Sequence, residues 1–142
     1  MCIRDSYVPI GQLGTIKTSI QSGWIFSPQE IFRNEQYRLG GNKLLRGFDE
    51  ETVFSTRYAI LTIEPRLLIG QNSYLFVFGD LGYTEDKTNE TNTSDRPMGF
   101  GAGLTFETKV GLFGFSLALG KQLGNAFNYR DMKIHFGYVS LF

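Results

Sequence analysis

His135-Phe136-Gly137-Tyr138-Val139-Ser140-Leu141-Phe142 is the stretch on which the reading of the fold turns. With Ile134 before it, it places Ile134, Phe136, Tyr138 and Phe142 at a spacing of two and stops on an aromatic ring. Residues at a chain end are usually poorly held and polar. A terminal strand with an apolar face requires a partner, which is either a soluble core or a lipid bilayer.

The same alternation recurs upstream. Residues 14–26 set Ile16, Thr18, Ile20, Trp24 and Phe26 against Lys17, Ser19 and Gln21. Residues 57–69 set Ala59, Leu61, Ile63, Pro65 and Leu67 against Thr62, Glu64 and Arg66, and residues 73–84 put Asp80 on one face with Phe76 and Phe78. Residues 98–109 oppose Phe100, Ala102, Leu104 and Phe106 to Gly99, Gly101, Gly103, Thr105 and Glu107. Residues 111–121 oppose Phe113, Phe115, Leu117 and Leu119 to Gly114, Ser116 and Ala118. With the terminal strand this predicts an all-β antiparallel meander of about six strands. Each is about ten residues long, enough to cross a bilayer at a tilt.

Composition agrees. Aromatics make up 15% of the 142 residues and Gly is frequent at 17, which favours β architecture. The 14 basic and 14 acidic residues balance, so no long-range field recruits nucleic acid. A single Cys excludes an internal disulfide, and a single His excludes a His-based dyad or metal cluster. No catalytic, metal or cofactor site is expected. A mean hydropathy of −0.14 would suit a soluble protein, but alternating faces average out in a barrel. The glycines at 99, 101 and 103 superficially resemble a phosphate loop, yet no helix follows them, and relief of crowding on a curved sheet is the plainer reading.

Connections alternate in length. Gly70-Gln71-Asn72 and Val110-Gly111 are tight, whereas residues 85–97, 123–131 and about 27–56 are long. A soluble sandwich shows the same alternation. Small and polar residues on one face of the fourth and fifth strands, against Phe and Leu on the other, favour a wet lumen backed by lipid. Six strands cannot close a wide barrel. The sequence is therefore expected to be the C-terminal part of one, with residues 1–6 a non-native start that joins no pattern and residues 7–142 the barrel portion.

The longest connection contains Arg38-Leu39-Gly40-Gly41-Asn42-Lys43-Leu44-Leu45-Arg46-Gly47-Phe48. An Arg between Leu45 and Phe48 is either a solvated loop residue or is tucked against the protein, in which case it needs a carboxylate. Asp80 and Glu64, expected to face the lumen, are the candidates.

In context these motifs resemble the BamA/TamA superfamily of outer-membrane assembly factors (the bacterial surface antigen family). Leu45-Arg46-Gly47-Phe48 is similar to the Val/Ile-Arg-Gly-Phe/Tyr tetrad of the loop that folds back into those barrels, with Leu45 a conservative departure. Phe78-Gly79-Asp80-Leu81-Gly82 is similar to the F-x-D-x-G run of a following strand, which implies Asp80 as the acceptor for Arg46. Glu64-Pro65-Arg66 is similar to the inward Glu and Arg of the strand between. The terminal stretch resembles the β-signal, with His135 as its polar position, Gly137 as its glycine and Phe142 as its last aromatic; Ser140 departs from it.

The resemblance implies the last strands of a sixteen-stranded transmembrane barrel in a Gram-negative outer membrane. It implies no enzyme and no cofactor, but a factor that folds and inserts nascent β-barrel proteins through a lateral seam. Outer-membrane lipid, periplasmic domains upstream and accessory lipoproteins are the implied partners. The alternatives are a superfamily barrel that exports a polypeptide or serves a secreted lipase, and a passive pore or scaffold.

Overall fold

The computed structural model describes residues 1–27, 31–32, 34–41, 44–88, 91–121 and 129–140. The strands are β1 (Cys2–Ile10), β2 (Gly14–Trp24), β3 (Tyr37–Leu39), β4 (Val53–Ser55), β5 (Arg57–Leu68), β6 (Tyr74–Thr88), β7 (Thr91–Asp95), β8 (Met98–Thr108), β9 (Gly111–Lys121) and β10 (Lys133–Ser140). Eight of them form one sheet in the order β1-β2-β5-β6-β8-β9-β10, with β7 on β6, while β3 and β4 pair separately. Every pairing of these strands is antiparallel. The fold is an all-β meander, and among the described residues it does not close: β1 and β10 are its edges.

Two expectations are corrected. Residues 2–6 do join the pattern, since β1 pairs with β2 from Cys2↔Ser22 to Ile10↔Gly14. Alternation at this strand is weak, with Arg4, Asp5 and Ser6 in succession, and backbone pairing with β2 supplies what the side chains do not signal. The polar segment 85–97 is also no plain loop, because β6 runs on to Thr88 and β7 returns along it.

The two faces differ as the alternation requires. Ile20, Trp24, Ile63, Leu67, Val77, Phe100, Phe115 and Phe136 are exposed on one face. Ser19, Glu64, Phe78, Asp80, Ser116 and Ala118 are buried on the other. What covers the second face is the connection between β2 and β5. Leu39 of β3, Val53 of β4 and Leu45 pack with Tyr58 and Ile60 of β5 into a small apolar core. The Tyr37 ring meets Tyr58 edge-on at 5.0 Å. The far end is tied down by Ile25 N–H donating to Thr56 O and Thr56 N–H donating to Glu85 O, each at 2.9 Å. Over this stretch the inner face is covered by the loop.

Ile60 is 1% exposed at the centre of this core. Ile60→Ala is expected to lower stability by about 2–5 kcal/mol and to speed proteolysis within residues 27–56. Ile63→Ala, on the opposite face of the same strand, is expected to leave the loop's proteolysis unchanged.

Candidate functional site

The site is a row of inward side chains fixed by sheet register. Across the strands the row runs Asp5, Ser19, Thr62, Asp80, Gly99 and Gly120. Two and four residues along β5 from Thr62, toward the turn-linked end, Glu64 and Arg66 follow at the same phase. The β5–β6 ladder omits Glu64 and Pro65, where Pro65 has no N–H to donate. Leu45-Arg46-Gly47-Phe48 lies across this row.

Arg46 enters with its guanidinium carbon, Cζ, 3.6 Å from the centroid of the Phe78 ring. Its Nε donates to Asp80 Oδ2 at 3.2 Å and its Nη2 to Asp80 Oδ1 at 3.1 Å. Its own backbone N–H also donates to Asp80 Oδ2, at 2.9 Å. The third nitrogen, Nη1, donates to Glu64 Oε2. Thr62 Oγ1 completes Asp80 at 2.8 Å, and Arg66 Nε completes Glu64 at 2.8 Å. Arg66 in turn stacks over Tyr74, 4.5 Å from its centroid. The Arg46, Glu64 and Asp80 side chains are only 11%, 6% and 1% exposed.

Burial of this kind is tolerable only because every charge has a partner and the two cations match the two carboxylates. Burial opposes the charge on Arg46, and the hydrogen bonds and charges of Asp80 and Glu64 outweigh it, so its pKa is raised. The two carboxylate candidates of the sequence reading are thus both used. Asp80 takes the bidentate and backbone bonds, and Glu64 takes the remaining nitrogen.

The seat of the loop is made of glycine. A Cβ on Gly99 would lie 2.0 Å from Arg46 O, and one on Gly120 would lie 2.4 Å from Gly47 O. A Cβ on Gly82 would meet a methyl of Leu45 at 3.0 Å. Gly47 itself has φ of 105° and its absent Cβ faces Gly120 N at 2.5 Å, so both conformation and space demand glycine there. Leu45 holds φ of 53°, uncommon for a non-glycine residue, with its side chain fully buried. Sequence reasoning placed Gly82 in a motif but read Gly99 as relief of sheet crowding and gave Gly120 no role. Their signal was their inward phase, opposite the Phe and Leu face.

The Omp85 superfamily domain matches residues 5–140 of the chain. The chain belongs to the Omp85 superfamily. No curated protein and no solved structure matches it. Omp85 superfamily proteins are outer-membrane proteins of protein insertion and transport. The exposed apolar face of this Omp85 barrel segment is accordingly its lipid side and the loop-covered face its lumen side.

The terminal motif is placed in part. On β10, His135 points to the lumen side opposite Ser116, and its Nε2 is buried without a hydrogen-bond partner among the described residues. Gly137 pairs with Gly114. Leu141 and Phe142 lie outside the described residues.

If the glycine seat holds the loop, Gly99→Ala and Gly120→Ala are expected to displace it and raise its protease sensitivity. Gly114→Ala, whose Cβ meets nothing closer than 3.9 Å, is expected to change nothing. On the lipid side, Leu104→Arg or Phe115→Arg is expected to destabilise the membrane-inserted barrel by about 2–4 kcal/mol in unfolding titrations.

Proposed function

We propose that this Omp85 barrel segment belongs to a factor of the BamA/TamA type, which folds and inserts nascent β-barrel proteins into the outer membrane without bond chemistry or a cofactor. The observation that carries the reading is the Arg46 anchor. An inward loop whose tetrad cation is bonded to carboxylates on two neighbouring strands serves to fix the geometry of a barrel wall, and a passive pore has no use for it. In this reading an incoming strand pairs with the exposed edge of the terminal strand by β-augmentation. Gly137 suits that seam because glycine packs a strand weakly. Outer-membrane lipid, nascent barrel proteins, upstream periplasmic domains and accessory lipoproteins are its partners.

The test uses the full-length protein in lipid vesicles, with an unfolded β-barrel protein as substrate. Faster substrate folding than in vesicles holding an unrelated barrel is expected; equal rates would sink the proposal, and passage of polypeptide into the vesicle lumen would point instead to export. Arg46→Ala and Asp80→Ala are each expected to impair assembly, because removing one partner leaves a buried charge worth about 3–5 kcal/mol. The double variant is expected to be no worse than either single, whereas strictly additive losses would show that the two residues act separately.

A further inference from the structure

The tetrad loop does not stop at Arg46. Following the chain, Leu45 lies over Gly82 of β6, the Arg46 carbonyl over Gly99 of β8, and Gly47 over Gly120 of β9. The Phe48 ring covers Gly120 as well. Asp49 then reaches the next strand, where its Oδ1 sits 2.6 Å from Lys133 Nζ at the start of β10. The side chains of Arg46 add Glu64 of β5 to the series. Five residues therefore make contacts on five consecutive strands, from β5 to β10, and end on the sheet's edge strand.

We propose that Asp49–Lys133 is a latch that couples the docking of the Arg46 loop to the holding of the edge strand β10. A loop seated by Arg46 brings Asp49 over Lys133 and steadies β10, and a β10 in register gives the loop its last foothold. Such coupling is reciprocal by necessity, so loosening either end loosens the other. The pair is open to water, with side-chain exposures of 32% and 66%, which sets its strength at that of a reversible contact rather than a fixed joint. Arg46 and its carboxylates are buried and Asp49–Lys133 is not, so the strap is anchored at one end and releasable at the other. The latch concerns the mechanics of the barrel and holds independently of the activity proposed above.

Hydrogen exchange by mass spectrometry on the full-length protein in lipid nanodiscs tests it without any assembly assay. Lys133→Ala and Asp49→Ala are each expected to speed amide exchange about two- to fivefold in both residues 44–49 and residues 133–140, the range set by an exposed ion pair. The double variant is expected to match the singles, and exchanging the charges in Lys133→Asp with Asp49→Lys is expected to restore slow exchange. Arg46→Ala is expected to speed exchange in β10, while Arg38→Ala, which breaks the exposed pair with Glu51 elsewhere in the loop, leaves β10 unchanged. Unchanged β10 exchange in Asp49→Ala and Arg46→Ala, or additive effects of Asp49→Ala and Lys133→Ala, would overturn the proposal.

Discussion

A guanidinium held between an aromatic ring and two carboxylates is the interaction on which the rest of this segment depends. Through its charged group, Arg46 dictates what two neighbouring strands, β5 and β6, carry. Asp80 and Glu64 must point inward, Thr62 must close the last position on Asp80, and the Phe78 ring must lie beside the cation. An ion cluster so poorly exposed adds little stability over an apolar equivalent. Its value lies in specificity, because an apolar loop would tolerate several positions over the wall and a bidentate cation tolerates one.

Shape follows from the same demand. The loop needs to lie against the sheet backbone, and only glycine lets it come so close at positions 99 and 120. Lower on the same wall the vacancy left by glycine is filled from the neighbouring strand. Phe78 and Phe76 are the register partners of Gly101 and Gly103, and their rings cover them. Large and small residues thus interdigitate between adjacent strands, with a second layer of loop where rings are lacking. Above this, the small apolar core around Leu45 and Ile60 makes the upper part of the lumen side a packed interior.

Much of this was legible in the sequence because a strand's period is short and strict. The phase of Thr62, Glu64 and Arg66 against Leu61, Ile63 and Leu67 fixes which side chains meet the loop, and Asp80 follows from Phe76 and Phe78. The inward turn of Arg46 was legible only through the resemblance of its tetrad to a family motif, since its apolar neighbours alone left a solvated loop residue open. The division of labour between its two carboxylate candidates was not legible, since it depends on ångström-scale placement of a loop that has no period. β1 escaped notice because an edge strand need not alternate when its ladder supplies the pairing. Gly99 and Gly120 escaped because a missing side chain carries no sign of what occupies its place, and Asp49–Lys133 because it joins residues far apart through an irregular segment.

The position of the seat along the chain has a consequence for how the segment is made. Arg46 precedes by 34 residues the carboxylate that holds it, and Gly99, Gly120 and Lys133 come later still. The loop is therefore synthesised before its own dock exists. The seat is built from residues of β6, β8 and β9, so the strap can close fully only once those strands have paired. Its closure is also a check on what came before, because a wall paired one residue out of register would present Phe and Leu where the strap needs glycine and carboxylate.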